Sequence, residues 1–102
     1  MRKLRTLDEL EADYFQKRPD EIDSYIKEIF EEYAADGDSS ALLASLRVIV
    51  QVKGITVLAS KTGMTRQGIQ KTLSSKGNPK LDNINSIIHA LGYRLIPQKI
   101  EL

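Results

Sequence analysis

Aliphatic residues recur at helical spacing through almost the whole chain, and glycine or proline cuts that pattern into segments too short to be stable alone. Such a chain must bury several short helices against one another. Leu7, Leu10 and Tyr14 are spaced for one face of a first helix, over about residues 6–16. Pro19-Asp20 restarts the chain, because proline suits a first helical turn and aspartate can cap it. Ile22, Ile26, Ile29 and Tyr33 then form a stripe, joined by Tyr25 and Phe30, to near Ala35. Gly37 ends that helix, and Asp38 caps a third whose Leu42, Leu43, Leu46, Ile49 and Val50 make it the central core element, up to Lys53-Gly54. Shorter helices follow over about 56–62, stopped by Gly63, and from Thr65 to about Ser75. Lys76-Gly77-Asn78-Pro79 breaks the chain. Asp82 caps a last helix with Ile84, Ile87, Ile88 and Leu91 on its face, closed by Gly92. In the tail, Tyr93 and Leu95 alternate with Arg94 in a β-like pattern. A lone strand leaves its backbone unpaired, so the expected partner is the same tail of a second subunit. The expected fold is all-α, a bundle of five or six helices with a short C-terminal β tail. Its parts are an acidic helical arm (1–37), a second helical region (38–92) and a tail that contacts the partner subunit (93–102).

The 102 residues allow one compact domain with little beyond an arm. Four Tyr, two Phe and no Trp leave its core to aliphatic side chains. The absence of Cys excludes disulfides and thiolate metal sites. The opening MRKLRTLDEL runs into acidic residues instead of an apolar stretch, unlike a secretory signal, and no apolar run approaches a membrane span. A cytoplasmic protein is expected. Its charge is divided along the chain: residues 1–37 hold 6 Lys/Arg against 11 Asp/Glu, and residues 38–102 hold 9 against 3. From Lys53 to Lys80 there are six basic residues and no acidic one. That block suits a polyanion, and the acidic segment suits some other task.

The segment LASKTGMTRQGIQKTL, Leu58 to Leu73, carries the functional signal. Two short helices that cross steeply need a small residue at their contact, which Ala59 supplies. Their connection needs a left-handed backbone, which Gly63 supplies four positions later. Leu58, Met64 and Ile69 are spaced to tie both helices to one core. The second helix then presents Arg66, Gln67, Gln70, Lys71 and Ser74 outward, a surface without carboxylates that suits base edges and phosphates. This is the pattern of a helix-turn-helix.

Three stretches, the middle one containing that segment, carry a wider likeness: DYFQKRPDEIDSYIKEIFEE, then LASKTGMTRQGIQKTLSSKGNPKLDNI, and IIHALGYRL. In this order they resemble the HigA-like antitoxin regulators, the probable addiction-module antidote group of the Xre/Cro-like helix-turn-helix superfamily, over roughly Asp13 to Leu95. The resemblance implies a lambda-repressor-like helix-turn-helix within 38–92. It also implies a homodimer that binds its own palindromic double-stranded operator and neutralises a basic, RelE-like ribonuclease toxin encoded beside it. Thr72 departs from the pattern, which prefers an aliphatic residue there, and Leu73 is expected to take up the packing.

Roles follow from side-chain chemistry. Thr65 caps the second helix, whose free N–H groups can meet a phosphate. Arg66, Gln67 and Gln70 are the expected base readers, since glutamine pairs with adenine and arginine with guanine. Lys61, Lys71, Lys76 and Asn78, with Thr65, are the expected phosphate contacts. Glu28, Glu31 and Glu32 are the candidate toxin contacts on the acidic arm, although such a run also serves as a plain solvated face. The single His89 lies beside the apolar stripe, and with no Cys no metal or cofactor is expected. Nothing pairs a nucleophile with a base, so no enzymatic activity is expected. Two alternatives stand beside the antitoxin: a stand-alone repressor, and an adaptor that uses the same geometry to bind protein.

Overall fold

Three of the described helices open on a side-chain cap. In the computed structural model, which describes residues 6–74 and 78–101, α1 (Leu7–Lys17) opens on Thr6. The Thr6 hydroxyl accepts the Glu9 N–H at 3.1 Å while the Glu9 carboxylate accepts the Thr6 N–H at 3.3 Å, a reciprocal capping box. A 3₁₀ turn at Pro19–Glu21 leads into α2 (Ile22–Asp36), which Gly37 stops at φ 68°. The Asp38 carboxylate accepts the Ala41 N–H at 3.0 Å and so starts α3 (Ser39–Lys53). After Gly54 come α4 (Ile55–Thr62), α5 (Arg66–Thr72) and α6 (Leu81–Ala90).

The all-helical expectation holds, with α3 at the centre. It packs against α1, α2 and α4, while α6 closes on α4 and α5. Leu46, Ile49, Leu58, Ile69, Leu73, Ile87 and Ile88 are fully buried, each worth about 1.5–3 kcal/mol over its exposed state. Phe15 of α1 and Ile22, Ile26 and Ile29 of α2 belong to the same hydrophobic cluster, so the core runs unbroken past Gly37. Gln16 adds a polar tie, donating to the Val52 carbonyl at 2.9 Å. Among the described residues no single helix is long and apolar enough to cross a membrane. Among these residues, α3 and α4 taken together would be long and apolar enough, but they meet at 99°.

The structure corrects several expectations. Leu7, Leu10 and Tyr14 do share a face of α1, but they are 69%, 53% and 44% exposed, and Ala12 and Phe15 make the packed face instead. Periodicity reports a common side and not which side meets the core. Tyr33 is likewise exposed, while Tyr25 and Phe30 are half-buried. Helix α6 begins one residue before Asp82, with Lys80 at its N-cap position and no side-chain cap. The tail forms no strand: residues 93–101 run without helix or ladder, and no strand is found among the described residues. A β tail needs an edge to pair with, and the described helices offer none. The start of the tail is nevertheless fixed, because the Tyr93 hydroxyl donates to the Asp23 carboxylate of α2 at 2.8 Å.

Candidate nucleic-acid interface

The unit α4–turn–α5 is built on one glycine and two threonines. The Thr62 hydroxyl donates to the Leu58 carbonyl at 2.8 Å and accepts the Met64 N–H at 3.1 Å, bridging the end of α4 to the turn. Gly63 takes φ 75°, where a side chain would be strained, and donates its N–H to the Ala59 carbonyl at 3.0 Å. Thr65 has an extended backbone, and its hydroxyl accepts the Gly68 N–H at 2.9 Å. Only Gly63, Met64 and Thr65 therefore separate the two helices. Leu58 beneath α4, and Ile69 and Leu73 beneath α5, are buried in the common core, with Ala59 and Met64 packed against it.

This packing decides which residues of α5 face out. On a helix of 3.6 residues per turn, Arg66, Gln67, Gln70 and Lys71 fall within an arc of about 140°, opposite Ile69 and Thr72. All four are exposed, as is Thr65 at the cap. No acidic residue interrupts this surface, because none occurs between Lys53 and Lys80. Gln70 also borders a shallow groove with Arg47 and Gln51 of α3. The expected base readers are thus brought together, with Lys71 beside them. Lys61 stands apart: it is exposed in the last turn of α4 and lines a polar groove with Asn85, Ser86 and His89 of α6, which none of the α5 residues enters. Asn78 is exposed in the connection to α6, and Lys76 lies outside the described residues.

Two residues without an expected role hold α5 in place. Arg47, half-buried on α3, donates to the Leu73 carbonyl at 2.6 Å and so satisfies the C-terminal end of α5 from outside the unit. Thr72 is buried, and its hydroxyl donates to the Gly68 carbonyl at 2.8 Å. The polar residue in an aliphatic slot is satisfied by its own helix, and Leu73, 1% exposed, takes up the packing as expected. The Thr72 bond could have been anticipated from the four-residue spacing. The Arg47 bond spans 26 residues and had no local signal.

On the acidic arm, Glu28, Glu31 and Glu32 are all exposed on one side of α2, away from the buried Ile22, Ile26 and Ile29. Nearby, the hydrogen bond from Tyr93, and secondly the ammonium of Lys27 at 3.4 Å, hold the Asp23 carboxyl below its ordinary value. His89 is exposed, and among the described residues no group of His, Asp and Glu could hold a metal ion.

A protein in Haemophilus influenzae carrying no functional description is 28% identical over 80 residues, which cover 78% of each chain. No solved structure matches. The model of the family described as "probable addiction module antidote protein" matches residues 6–99, a span that takes in α1 to α6 and most of the tail. On that match, this chain belongs to the probable addiction module antidote protein family.

Proposed function

We propose that this protein is an antitoxin that represses its own operon. In this reading it is a cytoplasmic homodimer and a binding protein, with no catalytic role. Its α4–turn–α5 units act as lambda-repressor-like helix-turn-helix motifs on a palindromic operator. The region 38–92 binds DNA, the arm 1–37 neutralises a basic, RelE-like ribonuclease, and the tail 93–102 joins two subunits. The antidote family supplies the toxin partner in general terms, and the finer assignments rest on side-chain chemistry.

The observation that carries the DNA reading is the outward arc of α5. Arg66, Gln67, Gln70 and Lys71 are exposed together on a short helix that is anchored beneath and capped at its N-terminus by Thr65. Two glutamines and an arginine can each make paired hydrogen bonds to a base edge, and lysine suits phosphate. The N–H groups of the first turn add a phosphate contact.

The test is fluorescence anisotropy with the protein's own upstream DNA and a shuffled duplex near physiological salt. Tight binding to the upstream duplex, with the shuffled one weaker by about a thousandfold or more, is expected of an autoregulator. Equal, weak and salt-sensitive binding to both would reduce the basic face to a generic polyanion surface. Binding to neither would overturn the DNA reading in favour of a protein-binding adaptor.

A further inference from the structure

We propose that the outward face of α1, formed by Leu7, Leu10 and Tyr14, is the anchor that seats in an apolar cleft of the basic toxin. The inference rests on the antitoxin reading above and names the surface that reading leaves open. On an ideal helix the three side chains lie within about 60° of one another, at positions i, i+3 and i+7. That is the spacing by which an amphipathic helix enters a partner's groove. Ala12 and Phe15 lie on a different side and already bind α1 to the core, so among the described residues α1 has a second apolar stripe that stays outside the hydrophobic core.

The stripe is rigid and shaped for contact. The capping box fixes the helix from its first turn, beside Leu7. Tyr14 is held two ways: its ring meets Phe15 edge-on at 5.2 Å, and the Arg18 guanidinium lies over it at 4.1 Å. A preorganised aromatic beside two leucines loses little side-chain freedom on binding, and such residues tend to carry the energy of an interface.

Charge selects the occupant. The arm over 1–37 holds 6 Lys/Arg against 11 Asp/Glu, a net charge of −5 on the segment that carries this stripe. A second copy would bring the same negative arm against it, and nucleic acid would be repelled. A basic protein with an apolar cleft satisfies both features, and the antidote family supplies a toxin partner in general terms. In this arrangement Glu28, Glu31 and Glu32 steer the approach, while the α1 stripe holds the complex.

The probe is the protein encoded by the gene adjoining this chain's own, purified separately and titrated against the full-length chain. Leu7→Gln/Leu10→Gln keeps helix propensity and removes the stripe. It is expected to weaken binding at least about thirtyfold, with the melting temperature and the affinity for upstream DNA unchanged. Glu28→Gln/Glu31→Gln/Glu32→Gln is expected to slow association and flatten its salt dependence, with dissociation little changed. Unchanged affinity in the leucine variant, while the wild type binds, overturns the stripe and leaves the antitoxin reading standing. A leucine variant that turns a wild-type dimer into a monomer also overturns it, because a second copy would then be the occupant. Failure of the wild type to bind the encoded protein overturns the toxin reading and this inference together.

Discussion

A single hydroxyl and a missing methyl group meet at the start of α5. The Thr65 hydroxyl caps the helix through the Gly68 N–H, and a Cβ built on Gly68 would come within 3.0 Å of that same oxygen. Alanine is worth about 1 kcal/mol more than glycine inside a helix, but here the gain is opposed by displacement of the cap. Thr65→Ala alone is expected to cost about 0.5–2 kcal/mol. Gly68→Ala should therefore stabilise the Thr65→Ala protein more than it stabilises the wild type, a coupling read from urea unfolding of the four variants. Strict additivity would show that cap and glycine are independent. At the outward arc the contrast is between reading and holding. Gln70→Ala is expected to relax sequence preference, at a cost of about 1–3 kcal/mol on the preferred operator. Lys71→Ala should weaken all duplexes alike and lower the salt slope by about 1. An unchanged operator preference in Gln70→Ala would remove it from the base readers.

At the scale of the element, the contact that joins the last turn of the bundle to α2 is also the one most sensitive to pH. Burial, and secondly the Asp23 carboxylate, push the Tyr93 hydroxyl up to about 12, while Asp23 is held below its usual 3.8. A carboxyl with a lowered folded value stabilises above its ordinary range and loses that contribution as pH falls through the folded value. A phenol raised in the fold stabilises below its ordinary 10.0 and loses that contribution as pH rises toward 12. Tyr93→Phe should accordingly lower the melting temperature by a nearly constant amount between about pH 5 and 9, with the gap narrowing beyond both ends. A gap independent of pH from 3 to 11 would mean that the hydrogen bond adds nothing to docking of the tail. This bond spans 70 residues, and its length explains why it could not be read beforehand. What was legible is local: Gly37, Gly63, Asp38 and Thr65 mark helix ends by their own backbone and side-chain chemistry. Ile69, exposed Gln70 and Gln67 follow from the spacing of α5 in the same way. Illegible features depend on what lies across the fold. The face that α1 turns to the core carries Phe15, which meets Tyr25 of α2 at 4.5 Å, and not the two leucines that dominate its pattern. Arg47 reaches α5 from another helix for the same reason.

For the whole molecule, charge and tail make one argument about assembly. The arm over 1–37 is net negative and the stretch from Lys53 to Lys80 has six basic residues and no acidic one, so DNA bound as proposed would lie on the α5 side with the arm held away from it. One such unit covers too little duplex to be selective, since a single DNA-binding module buries about 600–1,000 Å². Two units gain selectivity when they are spaced by about 34 Å, one turn of the double helix. In the proposed dimer the exposed Leu95 and Ile96, with the unpaired backbone around them, are the parts of this chain that a partner's tail would cover. Removing residues 94–102 takes away no buried side chain among those described, and the melting temperature should fall by no more than about 4 °C. Light scattering should show the mass of one chain where the full-length protein shows two. The decisive reading is on DNA: five base pairs inserted between operator half-sites turn one site by about half a helical turn, which should abolish tight binding by the full-length dimer. The shortened protein, reading each half-site alone, should be indifferent to that insertion. If it remains a dimer and still discriminates between the two spacings, subunit pairing is made elsewhere, and the apolar tail must be assigned to another contact.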